Sequence, residues 1–94
     1  MAIAVRLHAP TATREQFNAL DDALGNWSSA HGGPPDGFVS YTAFADGEGF
    51  SVFLVWRNAD LWQRCWDGVM LGLFRDAGIA VDQLGHAPVW GLAK

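Results

Sequence analysis

The sequence has little cysteine and little charge. Cys65 is the only cysteine among 94 residues, so a disulfide within the chain and a zinc site built from several cysteines are both excluded. Charged residues make up 17% of the chain, whereas an average soluble protein has about 25%. The six lysine and arginine residues are scattered and the formal net charge is −4, so the chain lacks the basic face that phosphate backbones and anionic membranes attract. We therefore expect no nucleic-acid partner and no membrane partner.

Long apolar runs are also missing. No stretch reaches the roughly 18 consecutive apolar residues that indicate a membrane-spanning helix, and no basic segment leads into an apolar one at the amino terminus. The pattern predicts neither a signal peptide nor a membrane span. Together with the single cysteine, which suits a reducing compartment, this indicates a cytoplasmic protein.

Apolar residues, by contrast, are abundant. Half of the chain is hydrophobic and 13% of it is aromatic, with five tryptophans. A chain of this length is expected to form one domain over residues 1–94, and such a small domain buries only about 60–65% of the surface of its unfolded chain. Some of the apolar surface is therefore expected to be covered by a ligand or by another subunit.

Hydrophobic periodicity and turn residues predict six elements in the order β-α-β-β-α-β. The predicted segments are a strand at Ala2–His8, a helix at Arg14–Leu24 that Gly25 ends, a loop at Asn26–Gly37, a strand at Phe38–Ala45, a turn at Asp46–Gly49, a strand at Phe50–Arg57, a helix that Asn58 or Asp60 caps and Gly78 ends, and an extended segment from Val81 to Leu92. This order is the ferredoxin-like arrangement, an α+β fold with a four-stranded antiparallel sheet and two helices on one face.

Local features refine the helices and the last strand. Thr13 and Gln16 have the spacing of a capping box. Gly68 and Gly72 each weaken the middle of the second helix by about 1 kcal/mol relative to alanine, so we expect a kink or a close backbone contact there. Pro88 places the last strand at an edge or at a bulge.

The third strand is apolar on both sides. Its alternation places one set of residues on one face and two residues on the other, namely Phe50, Val52, Leu54 and Trp56 against Phe53 and Val55. Two helices can cover only one face, and exposing the other forgoes roughly 1.5–3 kcal/mol per large side chain. We therefore expect a homodimer whose two sheets pack face to face. The alternative is that the C-terminal segment folds back over the second face.

One long stretch resembles a known superfamily. Pro34–Trp62 reads PPDGFVSYTAFADGEGFSVFLVWRNADLW, with a Pro-Pro-x-Gly entry to the second strand, an Asp-Gly turn and a strand that ends in Val55-Trp56. A capped helix then ends in Asp76-Ala77-Gly78, and Thr13–Phe17 is similar to the start of the first helix of the same proteins. In these features the chain resembles small proteins of the dimeric α+β barrel superfamily, which includes the antibiotic-biosynthesis monooxygenase domains.

The resemblance implies a dimer, a ferredoxin-like fold and a small-molecule pocket between the helices and the sheet of each subunit. Members of that superfamily include cofactor-free oxygenases, polyketide cyclases and haem-degrading enzymes. A haem ligand is expected on or after the second helix. The second helix of this chain contains no histidine. We therefore expect no haem.

Aromatic residues form the most conspicuous candidate site. Trp62 and Trp66 lie one helical turn apart, and other aromatic side chains could approach them across the sheet. Buried indole N–H groups need partners, so many tryptophans indicate a cleft as well as a core. A pocket for a flat, apolar ligand is one interpretation, and ordinary packing with dimer contacts is the other. The candidate ligand-binding residues are Phe53, Trp56, Trp62, Trp66 and Trp90.

His8 and Tyr41 are the candidate catalytic residues. His8 lies at the end of the first strand and Tyr41 in the second, where the two could share the rim of the pocket. A histidine can act as a general base, and a tyrosine can donate to a developing enolate or phenolate oxygen. Cofactor-free oxidation or cyclisation needs these two roles in a dry pocket. The alternative for His8 is a solvated residue at a strand end.

The remaining reactive residues indicate neither a metal nor a cofactor. The three histidines, His8, His31 and His86, do not have the spacing of metal ligands. No phosphate-binding loop or dinucleotide fingerprint is present, and Cys65 lies on an apolar stripe, as a core residue does.

These features predict a homodimeric protein that binds a small hydrophobic metabolite of aromatic or polyketide-like character. If it is an enzyme, we expect cofactor-independent monooxygenase, cyclase or isomerase chemistry. The alternative is a non-catalytic dimerisation or ligand-carrier module.

Overall fold

The computed structural model describes residues 1–92 of the chain. Its elements are β1 (Ile3–Ala9), α1 (Arg14–Ala30), β2 (Phe38–Asp46), β3 (Gly49–Trp56), α2 (Ala59–Cys65), a π-helical segment (Trp66–Met70), α3 (Leu71–Asp76) and β4 (Asp82–Pro88). The predicted β-α-β-β-α-β order is confirmed, with the second helical region formed by three consecutive pieces. The last two residues of the predicted domain, 93–94, lie outside the described residues.

The four strands form one antiparallel sheet in the order β2-β3-β1-β4. Alternate residues of β1 and β3 point toward the helices and are buried, including Val5, Leu7 and Trp56. The opposite side of β3 carries Phe53, whose side chain is exposed. The predicted division of β3 into two apolar faces is therefore confirmed. We call the side of the sheet that carries Phe53 the open face.

Helix α1 begins at the predicted capping box but continues past its predicted end. The Thr13 hydroxyl accepts from the backbone N–H of Gln16 at 3.1 Å, and the Gln16 side chain accepts from the backbone N–H of Thr13 at 2.8 Å. Gly25 does not have a positive φ, and the helix runs on to Ala30. The prediction that Gly25 ends the helix was wrong, because a single glycine costs a helix only about 1 kcal/mol. The positive φ of Gly32, 79°, leads the chain away from the helix instead.

The second helical region contains a π-helical turn, wider than an α-helical one, at Trp66–Met70. Asn58 caps α2, its side chain accepting from the backbone N–H of Leu61 at 2.9 Å. In the π-helical segment the backbone N–H of Leu71 donates to the carbonyl of Trp66, five residues earlier. A Cβ at Gly68 or Gly72 would meet open space, so the expected close backbone contact at these glycines is not found.

The wide turn keeps the core residues of this region in line with the sheet. Trp62, Trp66, Met70 and Phe74 follow one another at intervals of four residues, and all four are buried. In a regular α-helix a spacing of four overshoots each turn, so the fourth residue would drift away from the first. A π-helical turn accommodates more residues and corrects part of that drift.

The C-terminal segment continues along the sheet edge. β4 has a register irregularity opposite Val5 and Leu7 and ends at Pro88, as expected for an edge strand with a bulge. The backbone N–H of Val89 then donates to the carbonyl of Ala2 at 3.0 Å. Trp90 is 99% exposed and Phe53 is 46% exposed, so up to residue 92 the tail does not cover the open face.

None of the helices that residues 1–92 form combines the length and the apolar character that crossing a bilayer requires.

Candidate ligand cavity

A cavity of about 330 Å³ lies between α1 and the helix-facing side of the sheet. Its floor is apolar and deeply buried: Leu7, Trp56 and Phe74 line it and are each 1% exposed. Leu20 and Leu24 of α1 form one wall. The cavity therefore extends from the surface into the hydrophobic core.

The polar side chains of the lining lie on α1 and β2. They are Asp21, Ser28 and Tyr41. The Tyr41 hydroxyl donates to Oδ1 of Asp21 at 3.1 Å, which ties the edge strand β2 to α1. Both residues are exposed, whereas the floor is buried, so this pair marks the outer end of the cavity. We call Asp21, Ser28 and Tyr41 the cavity mouth.

The pKa of Tyr41 is raised above its ordinary value of 10.0. The largest cause is partial burial, which disfavours the phenolate, followed by the hydrogen bond to Asp21 and the negative charge of that carboxylate. The tyrosine is therefore neutral at the mouth, and its hydroxyl donates a hydrogen bond to Asp21.

Helical spacing places the α1 residues of the cavity on one face. Phe17, Asp21, Leu24 and Ser28 follow at intervals of four, three and four residues, which keeps them along one side of a helix. Two polar residues on an otherwise apolar stripe are the signal that could have identified the mouth from the sequence. The prediction missed Ser28 because this residue lies beyond the predicted end of the helix, whereas Asp21 lies within the predicted helix and was not recognised as a site residue.

A bulge in β2 brings Tyr41 to the same side. Phe38 pairs with Trp56 and Tyr41 with Leu54, while the register shifts between Phe38 and Ser40. Without that extra residue, positions 38 and 41 would face opposite sides of the sheet. The rings of Phe38 and Tyr41 lie 6.2 Å apart.

Of the five predicted ligand-binding residues, only Trp56 lines the cavity. Trp62 and Trp66 are buried in the core, where Trp62 packs between Trp56 and Trp66 at ring distances of 5.5 and 5.6 Å. Phe53 faces the other side of the sheet, because alternate residues of a strand point to opposite faces. Trp90 is exposed to solvent beyond β4. The predicted common aromatic wall was therefore wrong.

Two of the buried indoles leave their N–H groups unused. Nε1 of Trp56 and Nε1 of Trp62 are buried and have no hydrogen-bond partner among the described residues. Such groups cost free energy unless they find an acceptor. The expectation that buried indoles obtain partners is not met within residues 1–92.

His8 lies on the open face, away from the cavity. It pairs with Ser51 across β1 and β3, and its Nδ1 lies 2.9 Å from the Ser51 hydroxyl. That hydroxyl donates to Asp46 at 2.6 Å. With Asp46 as the final acceptor, Nδ1 of a neutral His8 is the donor and Nε2 carries the lone pair.

The expectation that His8 and Tyr41 share a pocket rim was wrong. The neighbour of His8, Leu7, faces the helices and lines the cavity, so His8 must face the other way. Tyr41 faces α1 and reaches Asp21. The sheet separates the two side chains.

Other reactive side chains lie outside the cavity. Burial raises the pKa of the Cys65 thiol to about 11, which suits a core residue. His31 contacts its own helix, its Nδ1 lying 2.7 Å from the carbonyl of Trp27, and its ring stacks on that tryptophan at 4.0 Å. Within residues 1–92, no three or more histidine, cysteine or carboxylate side chains are grouped so as to hold a metal ion.

The open face carries an exposed aromatic pair. Phe44 and Phe53 are 40% and 46% exposed, and their rings lie 5.4 Å apart. The Arg6 guanidinium lies 5.8 Å from the centre of the Phe53 ring, a distance at which a cation and an aromatic face attract. This side of the sheet therefore carries an apolar patch across β2 and β3, beside the charged Arg6 on β1.

Solved structures share the whole architecture. SnoaB, a cofactor-independent oxygenase from Streptomyces nogalater, matches 97% of this chain and 93% of its own with a TM-score of 0.64 and 12% identity. Rv0793 from Mycobacterium tuberculosis matches 99% of this chain and all of its own, 100%, with a TM-score of 0.64 and 23% identity. A proposed antibiotic biosynthesis monooxygenase from Chloroflexus aurantiacus matches 98% and 95% with a TM-score of 0.55 and 19% identity.

This chain shares the ferredoxin-like fold of these structures. The fold that the resemblance implied is thereby confirmed over nearly the whole chain. No protein-family model and no curated protein sequence matches it. At identities of 12–23% the likeness concerns the fold, because one fold carries many different activities.

Proposed function

We propose that this chain binds a small hydrophobic metabolite, aromatic or polyketide-like, in the cavity between α1 and the sheet, as one subunit of a homodimer. The observation that carries the proposal is the cavity itself, about 330 Å³ in volume, with a buried apolar floor and one polar end. Small-molecule sites are typically concave and mostly apolar, with a few polar groups that orient the ligand.

As catalytic activity we propose cofactor-independent oxygenase, cyclase or isomerase chemistry. Support comes from SnoaB, a cofactor-independent oxygenase of the same fold. Tyr41 is the candidate catalytic residue of the cavity, because its hydroxyl lies at the mouth, where a ligand oxygen would pass. His8 has no part in this site, since it lies on the other side of the sheet.

A ligand carrier without catalysis is the second candidate. The proton of Tyr41 is held by Asp21, and no histidine lines the cavity among the described residues. A general base for proton abstraction is thus restricted to a carboxylate that is already hydrogen-bonded. This observation favours binding and release of an unaltered ligand.

The homodimer is supported by the open face. Phe44 on the edge strand β2 and Phe53 on the inner strand β3 are exposed there, while the helices cover the other side of the sheet. Burying each ring against a second copy of the chain would stabilise the dimer by up to roughly 1.5–3 kcal/mol. A two-fold axis lets the same patch cover itself.

The experiment is a titration of the purified protein with anthrones, flavonoids and fatty acids, read by quenching of tryptophan fluorescence. Trp56 lines the cavity and should report occupancy. We expect saturable quenching by at least one class. Mass spectrometry of the recovered ligand after aerobic incubation then separates the two candidates, because an enzyme changes the ligand and a carrier returns it unaltered.

A matched pair of variants locates the site. Gly25 lines the cavity and Gly72 lies on α3 away from it, and a Cβ at either position would meet open space. Gly25→Leu should place a side chain at the entrance and weaken binding at least about fivefold, the effect of roughly one lost apolar contact. Gly72→Leu should leave it unchanged. Saturation by none of the compounds, or equal effects of the two variants, would rule the cavity out as the binding site.

A further inference from the structure

We propose that Asp21 is a specificity-determining residue of the cavity: its carboxylate selects ligands whose outer end is an uncharged hydrogen-bond donor and rejects carboxylates. The inference rests on the proposed function, because it concerns which ligand the cavity takes. It concerns a residue that neither the sequence pattern nor the fold comparison identified.

The charge of the cavity comes from one side chain. Among the described residues that line it, Asp21 is charged and Ser28 and Tyr41 are polar and neutral. The rest carry apolar side chains or none, apart from the buried indole N–H of Trp56. No lysine or arginine among residues 1–92 belongs to the lining, so a ligand carboxylate would find no positive partner in the described part of the chain. The chain as a whole is also negative, with a net charge of −4.

The hydrogen bond at the mouth decides which groups can still accept or donate. Tyr41 has one hydroxyl proton, and it is directed to Oδ1 of Asp21. The Tyr41 oxygen and the second carboxylate oxygen of Asp21 can then only accept. Ser28 can donate or accept, so it does not favour either kind of ligand. The Asp21–Tyr41 pair therefore requires a donor from the ligand.

Electrostatics acts in the same direction. A ligand that places its ring on the floor formed by Leu7, Trp56 and Phe74 has its outer end at the mouth, beside Asp21. A carboxylate at that end would oppose a like charge next to apolar walls, whereas a neutral hydroxyl would gain a charge-assisted hydrogen bond. Because the mouth is exposed to solvent, we expect a preference of about fivefold to tenfold.

The test uses ligands that differ only at the outer end. Naphthalen-2-ylmethanol, 2-naphthoate and naphthalene share one ring system and carry a neutral donor, an anion and no polar group. Dissociation constants for all three are measured at neutral pH by isothermal titration calorimetry, with wild type and with two variants. Asp21→Asn removes the charge and keeps a side chain that can accept from Tyr41. Asp22→Asn makes the same change at the next, exposed position of α1, which does not line the cavity.

We expect wild type to bind the alcohol at least fivefold more tightly than the carboxylate. The ratio should fall to within about twofold in Asp21→Asn, because the amide can donate to a carboxylate, and should stay unchanged in Asp22→Asn. Equal or tighter binding of 2-naphthoate by wild type, or equal effects of the two variants, would overturn the inference while binding of naphthalene upholds the proposed function. Binding of none of the three would overturn both.

Discussion

Tyr41 is a single residue whose surroundings can be measured directly. It is the only tyrosine in the chain, so the absorbance change of phenolate formation reports this one side chain. Its folded-state pKa is raised first by burial and then by Asp21. The neutral phenol is therefore favoured by folding, and the stability that this contributes is present at low pH and lost as the pH rises through the raised value.

A spectrophotometric titration checks this account of the cavity mouth. We expect the midpoint of Tyr41 above 10.0 in the folded protein, and a lower midpoint in Asp21→Asn, which lacks the negative charge. Asp22→Asn should titrate as wild type. A midpoint that Asp21→Asn does not lower would mean that the Tyr41–Asp21 hydrogen bond is absent in solution.

Cys65 gives a second measurement at the scale of one residue. Burial raises its pKa to about 11, and only the thiolate reacts with disulfide reagents. We expect slow reaction with an aromatic disulfide reagent at pH 8 in buffer and fast, stoichiometric reaction in denaturing urea. Fast reaction of the folded protein would contradict the burial of this thiol in the core.

Among the elements, α1 contributes most to the site, and the continuation of this helix past Gly25 is what adds Ser28 to the mouth. Gly25 lies inside the helix with an ordinary φ, whereas Gly32 has a φ of 79° after the helix ends. A Cβ would meet open space at both positions. The effects of alanine at these two positions should therefore differ only because the backbone conformations differ.

Gly25→Ala should stabilise the protein by about 0.5–1 kcal/mol, because alanine loses less backbone entropy in a helix. Gly32→Ala should destabilise it by about 1–2 kcal/mol, since an L-residue with positive φ is strained. Urea unfolding followed by circular dichroism measures both. Destabilisation by Gly25→Ala would mean that the helix ends where the sequence pattern first indicated.

The elements also show what a sequence can and cannot predict. The strands, the capping box and the two faces of β3 were predictable because they depend on neighbouring residues. The wide turn at Trp66–Met70 and the bulge before Ser40 depend on tertiary packing, and periodicity does not show them. Each changes which side a later residue faces.

The candidate site was harder to predict for the same reason. The face of His8 follows from counting along β1, since Leu7 faces the core. The face of Tyr41 could not be counted, because one extra residue in β2 reverses the alternation. The aromatic residues were correctly expected to be buried in several cases, but burial alone does not distinguish a cavity lining such as Trp56 from a packed core residue such as Trp62.

At the scale of the whole molecule, the two sides of the sheet have different properties. One side holds the cavity under α1. The other side exposes Phe44 and Phe53, with the Arg6 guanidinium beside the Phe53 ring. We propose that the first side binds a ligand and the second binds another copy of the chain. The proposal predicts that a substitution can abolish dimerisation and leave ligand binding intact.

Phe53→Glu should have this effect. Phe53 is opposite Arg6 in the β1–β3 pairing, so a glutamate there can pair with the arginine in a solvated monomer. Association would remove that charged pair from water and would no longer bury the Phe53 ring. We expect a folded monomer that still binds ligand. Leu71→Glu, which introduces the same charge at an exposed position of α3, should remain dimeric. A dimeric Phe53→Glu variant would place the interface elsewhere.

The most direct test of the whole account is native mass spectrometry of freshly purified wild-type protein at micromolar concentration. The account predicts a species with twice the mass of the chain, together with the added mass of any small molecule that the cavity retains. A species with the mass of one chain, under conditions in which the protein is folded, would contradict the claim that a second copy covers the open face.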